Sequence, residues 1–417
     1  MRSLVLASTL GLLLTSCGTE SGPLPLGLTL EQMAVPTDSL SGEPYLVSSG
    51  GEVALSWMDK TETGAAMRFA SLGEGGWNPP HAIASGDNWF VNWADVPSIA
   101  IAGGTMWAHW LEYNGDGRYS YGVRVSSSDD GGDTWTTPTW LHDDEAPVEH
   151  GFGAMTAIGN EVHAVWLDGR QGPENPQMSV RTRSLGSDGA GFGADTLLDE
   201  RTCDCCPNDI VAVGDDGLVA AYRNRSADEV RDIHVIRYAD GAWQEPKAVH
   251  EDGWQIAACP VNGPALASAD GRVAIAWFTA PEDAPQVNVA FSEDGGESFG
   301  APIRMDTGPP TGRVDIVMLE DGTAVVSWIQ ASSSAVETPP ADAPQGRRRP
   351  PAVEAGIMAR RVSADGRTSD PVVVIPTSTS RSSGYPRMVK VGNDLVFAWT
   401  GLDPVRSVQS ARATLQL

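Results

Sequence analysis

A short apolar run that closes on an aromatic residue recurs along the chain. It reads EVALSW at 52–57, TMWAHW at 105–110, EVHAVW at 161–166, GLVAAY at 217–222, RVAIAW at 272–277, TAVVSW at 323–328 and DLVFAW at 394–399. A strand-like segment and a Gly/Asp/Asn turn precede each run, as in PALASADG before Arg272. After a loop, an alternating segment such as YGVRVSSS or VNVAFS follows. Period-two alternation sends successive side chains to opposite faces of a strand, and helical spacing is missing throughout. The closing aromatics lie 53, 56, 56, 55, 51 and 71 residues apart. Short antiparallel strands repeated every fifty-odd residues predict an all-β fold, a β-propeller of four-stranded blades. Seven copies predict seven blades, with six as the alternative. The last copy ends at its third strand, so LGLTLEQMAV at 26–35 is expected to supply the fourth and close the ring. The recurring aromatic is expected between blades rather than in a ligand site. The 71-residue interval holds a Pro-rich insertion at 337–355 that reads as a mobile loop. Its run Arg347-Arg348-Arg349 reads as solvated charge.

The first residues follow another pattern. One basic residue, Arg2, precedes an apolar run from Leu4 to Leu14 that is too short to cross a bilayer. The run ends in Leu14-Thr15-Ser16-Cys17, which resembles the lipobox of bacterial lipoproteins. That resemblance implies a signal peptide over 1–16 and lipidation of Cys17. With Gly18 after the cysteine, it also implies the outer membrane. Residues 17–27 then read as a lipidated tether and 28–417 as the propeller. Loss of Arg2 takes the formal charge from −26 to −27. So acidic a surface repels nucleic acid and anionic lipid. The expectation is therefore a monomer in the bacterial cell envelope, facing periplasm or exterior, that touches membrane through its lipid alone.

Two turns carry a sharper signal. SDDGGDTW at 128–135 and SEDGGESF at 292–299 share Ser-x-Asp-x-Gly-x-Thr/Ser-aromatic. Asp130 and Asp294 can accept hydrogen bonds from their own turns, while Gly132 and Gly296 supply the permissive backbone. The pattern resembles the Asp-box, or BNR repeat, of the sialidase superfamily, and the chain resembles sialidase-like bacterial lipoproteins. In that family these boxes are structural and lie away from the active site. The resemblance implies a functional face built from the loops inside each blade after the aromatic run and from those leading into each new blade. That face is expected to carry Asp59, Glu112, Asp168, Trp93, Trp254 and Asn262 among others.

Likeness to sialidases implies an exo-α-sialidase type of glycoside hydrolase acting on an anionic glycan. Arginine forks match a carboxylate in bidentate fashion. The candidates for that grip are Arg225 or Arg231, Arg313 and Arg387. Tyr385, in SGYPR, is the candidate nucleophile, with Glu229 or Glu112 assisting and Asp95 or Asp59 as acid/base. The sequence departs from the family in lacking its Arg-Ile-Pro motif, where this chain reads EPYLVSSG, and in counting seven repeats rather than six.

Cysteines offer a second chemistry. CCPND at 205–209 and ACPVNG at 258–263 hold Cys-Pro at the same repeat position on neighbouring blades. Cys203, Cys205, Cys206 and Cys259 are therefore expected to converge. In an oxidising compartment they read as two disulfides, either Cys206–Cys259 with Cys203–Cys205 or a vicinal Cys205–Cys206 bridge. In the alternative, a non-catalytic propeller holds copper or zinc on these thiolates, with His150 as a further ligand. The glycosidase reading needs no cofactor.

Overall fold

The computed structural model describes residues 22–37, 40–172, 177–186, 191–332 and 352–416. The signal segment, Cys17, Arg347–Arg349 and most of the 337–355 insertion lie outside the described residues. Seven antiparallel sheets form a seven-bladed β-propeller, with two short 3-10 turns as the helical content of the described residues. Blades I to VI each use consecutive strands. Blade I comprises Ser41–Ser49, Glu52–Lys60, Ala65–Gly73 and His81–Gly86. Blade II comprises Ser98–Ala102, Thr105–Tyr113, Tyr121–Ser128 and Thr139–Trp140. His150–Ile158, Glu161–Asp168, Met178–Gly186 and Thr196–Thr202 form blade III. Blade IV holds Asp209–Val213, Gly217–Arg223, Ile233–Ala239 and Lys247–Ala248. Blade V holds Ala265–Ala269, Arg272–Thr279, Gln286–Ser292 and Ile303–Arg304. In blade VI the strands are Pro310–Met318, Ala324–Ala331, Glu354–Val362 and Val372–Ser378.

Blade VII contains Arg387–Val391, Asp394–Gly401 and Ser407–Gln416, and its outer strand is Gly27–Met33. Gly27 pairs with Gln416 and Met33 with Ser410, so the two ends of the described chain share one sheet.

The recurring aromatics build the joints between blades. Trp57, Trp110, Trp166, Tyr222, Trp277, Trp328 and Trp399 are all buried on second strands. Each reaches back to the preceding blade. Trp277 packs with Val219, Ala221, Ile233 and Val235 of blade IV, and Trp57 with Val396, Ala398 and Val408 of blade VII. A buried indole N–H needs an acceptor. Trp57, Trp110 and Trp166 find one two residues on, at Asp59, Glu112 and Asp168, over 2.8 to 2.9 Å. This gives Asp59 and Glu112 structural work. Asp59 also pairs with Arg68, and Glu112 with Arg124.

The two Asp turns are cross-braced. Asp130 accepts from the Thr134 amide (2.9 Å), the Thr134 hydroxyl (2.6 Å) and Ser128 (2.8 Å). Asp294 does the same with Ser298 and Ser292. Gly132 has φ +93°, and a Cβ there would lie 2.3 Å from the Phe69 ring of blade I. Both backbone freedom and space require glycine. These turns join third to fourth strands, at the opposite end from the loops described next.

Candidate functional site

The first strands of all seven blades line a channel of about 470 Å³. Where those strands begin, Tyr45, Phe152, Pro207, Asn208 and Arg387 leave a void of about 20 Å³, room for a single water. The channel is thus pinched shut at the loop-bearing face. Arg387 lies inside it, 5.1 Å from the Tyr45 ring and 5.7 Å from that of Tyr385. Asp209 and Asp315 face it there. Burial raises each carboxyl to about 6 although the Arg387 charge opposes the rise. Both also stitch blades together. Asp209 accepts from the Leu266 amide at 2.7 Å and Asp315 from that of Met388 at 2.6 Å.

Above the plug, an aromatic and arginine group occupies the face. Tyr385 stacks on Trp93 with centroids 6.0 Å apart, and its hydroxyl donates to Val261 O at 2.6 Å. Burial pushes this phenol well above its ordinary pKa. Arg313 lies 4.7 Å from the centre of the Trp93 ring and Arg381 5.4 Å. Arg313 donates to carbonyls of Thr379, Ser380 and Gly384 and to the Ser383 hydroxyl. Burial without a carboxylate partner lowers it to about 10. Neither Arg313, Arg381 nor Arg387 enters a salt bridge among the described residues. Trp93 is half-buried and Arg381 exposed.

The cysteine loop stands next to this group. Cys203 and Cys206 sulfurs are 2.8 Å apart, Cys203 and Cys205 4.0 Å, and all three converge within 4.8 Å. Cys259 meets Cys205 from the neighbouring loop. No S–S bond joins any two of the four. Cys203 therefore has Cys206 nearest, a partner that neither expected disulfide pattern gives it. The two Cys-Pro loops touch at backbone level, since a Cβ on Gly263 would lie 1.9 Å from Pro207 O. Arg231 donates to Cys203 Sγ (3.3 Å) and to Glu229 (2.8 Å), while Arg225 grips both Glu229 and Asp204. Those hydrogen bonds lower the Glu229 carboxyl to about 2. Glu229 thus answers to Arg225 and Arg231, whereas Tyr385 answers to Val261.

Asp95 is fully buried on the blade I to II loop. It accepts from the Phe152 amide at 2.7 Å and lies 3.2 Å from the Tyr121 hydroxyl, which reaches Glu149 at 2.7 Å. Burial pushes Asp95 up to about 8 and Glu149 to about 7. His150 belongs to a separate group. It is stacked on His142 at 3.8 Å and lies 2.8 Å from Asp144, with Asp168 beyond. His142, Asp144 and His150 form a second convergent set that does not include the cysteines. Glu149, Tyr121, Asp204, His142 and Asp144 were not expected from the sequence. Tyr121 and Glu149 are 28 positions apart on different blades, and no short motif links them.

No family model matches the chain, and no curated protein matches it. Solved structures do. An ulvan lyase of polysaccharide lyase family PL25, bound to -[GlcA(1-4)Rha3S]-, aligns with a TM-score of 0.58 at 11% identity, covering 91% of this chain and 95% of that one. Polysaccharide lyase Uly1 aligns at 0.51 and 9%, covering 91% of each. The NanB sialidase of Streptococcus pneumoniae, as its K499G mutant, aligns at 0.48 and 10%, covering 93% and 95%. At such identities the likeness to the two lyases establishes the propeller fold, and activity is a question for the site.

Proposed function

We propose that this propeller binds an anionic glycan on its loop-bearing face, against Trp93. The single observation that carries this reading is the set of cations without salt bridges around that ring. On a molecule of formal charge −26, Arg313 and Arg381 both lie against one half-buried indole, with Arg387 below. An aromatic face suits the C–H surface of a sugar ring, and an exposed guanidinium suits its carboxylate or sulfate in bidentate fashion. Arg381 is the fork with a free end, since Arg313 is committed to backbone carbonyls. The PL25 neighbour, bound to a saccharide of glucuronate and sulfated rhamnose, supports the ligand class. The finer form of the reading makes the ligand a sialoside and the protein an exo-α-sialidase, held at the bacterial outer membrane by lipid on Cys17. For hydrolysis, Asp95 has the raised pKa of a general acid, but it lies enclosed beneath Gly151 and Tyr121. Binding is therefore the part of the reading with geometry behind it.

Calorimetric titration with sialyl and uronate oligosaccharides tests it. Binding is expected in the wild type, with affinity reduced roughly tenfold or more, about 1.4 kcal/mol, in Arg381→Ala and Trp93→Ala. Unchanged affinity in both variants, or no binding of any acidic oligosaccharide, overturns the assignment. Release of fluorophore from an α-sialoside reads out the hydrolytic form separately.

A further inference from the structure

We propose that Cys203, Cys205 and Cys206 form a three-sulfur site for copper(I), with Cys259 at its solvent side. The site is independent of the glycan reading and stands beside it on the same face.

Convergence is the first argument. Three sulfurs from four consecutive positions meet within 4.8 Å, two of them on residues no more than 1% exposed. Thr202, just before the loop, donates to Arg223 O, and the Cys203 amide donates to the same carbonyl. That anchors the loop to the end of the second strand of blade IV. On the far side, Gly263 packs against Pro207 and brings the Cys259 loop alongside. The sulfurs are thus held by backbone from two blades.

Charge is the second argument, and it separates thiolates from disulfides. Arg223 is 1% exposed, and its hydrogen bonds go to the carbonyls of Arg231, Asn262 and Phe278, with no carboxylate among them. Arg231, equally enclosed, sets Nη1 on Cys203 Sγ. Arg231 already has Glu229 as a partner, whereas the buried Arg223 guanidinium calls for negative charge. Two disulfides are neutral and leave Arg223 uncompensated. Three thiolates around one Cu⁺ carry a net charge of −2, which supplies the negative charge that Arg223 lacks.

Donor type selects the metal. An all-sulfur set favours soft cations, and copper(I) accepts three thiolates. Zinc closes a tetrahedron and needs a fourth ligand drawn in from the exposed Cys259. On binding, each neutral thiol releases its proton to solvent and its sulfur lone pair goes to Cu⁺. No electron changes hands.

The test uses the full chain purified anaerobically in reduced form. Copper(I) is delivered from a chromophoric chelator of known affinity, and X-ray absorption reads the ligands. One copper(I) per chain with sulfur-only coordination is expected. Cys203→Ser and Cys205→Ser should lose it, and Cys259→Ser should keep the stoichiometry. Circular dichroism and Tm of each variant check folding. Cys205, half-exposed, is the substitution least able to disturb the core. Copper retained by a folded Cys205→Ser variant, zinc held in preference to copper(I), or no copper held by the reduced wild type overturns the proposal. So does a Cys203–Cys206 bridge, mapped in protein isolated from an oxidising compartment, that persists under copper(I) and thiol.

Discussion

Asp95 places its carboxyl where water does not reach. One phenolic proton on Tyr121 cannot serve both Glu149 and Asp95, so an Asp95 that keeps its own proton can donate back to the phenol oxygen. Burial favours that protonated form and lifts the pKa to about 8 from an ordinary 3.8. Between those values the folded state binds the proton and the unfolded state does not. Stability from this group is therefore full below about pH 4 and lost as pH rises through 8. Asp95→Asn keeps the shape without the titration. The Tm of the wild type should fall between pH 4 and 9 relative to that of the variant, by an amount worth on the order of 6 kcal/mol. Parallel Tm profiles would remove Asp95 from the account. Residue-scale facts of this kind were the least legible in the sequence. Asp95 stood out as a polar residue before a blade, but its partners Tyr121 and Phe152 come from other strands, and only the ring brings them together.

Strands and turns were far more legible, because one solution is repeated. An apolar run ending in an aromatic must bury both faces, and the second strand of a blade is covered on both sides. Trp277 is wholly enclosed, with its N–H on Asp252 at 2.7 Å. Trp277→Ala should cost about 3–5 kcal/mol by loss of burial and an unfilled cavity between blades IV and V. A denaturation midpoint within error of the wild type would contradict that role. The sequence did not reveal that Asp59, Glu112 and Asp168 are the indole acceptors. Each sits two places after its Trp, a spacing that puts both on one face of a strand, and that regularity was the available clue. The cysteine loops were legible as a meeting point through their shared Cys-Pro position. The choice of Cys206 as neighbour to Cys203 was not, because it depends on how a four-residue turn coils.

The whole molecule is a ring, and its seven copies make that legible in the sequence. Closure depends on Gly27–Met33, where Leu28 and Leu30 pack on blade VII with seven backbone pairings behind them. Removal of residues 22–33 should destabilise the protein by about 3 kcal/mol or more from the lost apolar contacts alone. It should also leave Ser407–Gln416 as an open edge prone to self-association. Thermal unfolding with light scattering reads both effects, and a monomeric variant of unchanged Tm would argue against the clasp. The same pairing has a bearing on biosynthesis. The strand that completes the seventh sheet is synthesised before the other strands of the ring, and its partner after them. Until that partner is made, Gly27–Met33 has nothing to pair with. The ring can lock only once its seventh blade has been made, so the six blades before it wait on the one that comes last in their order.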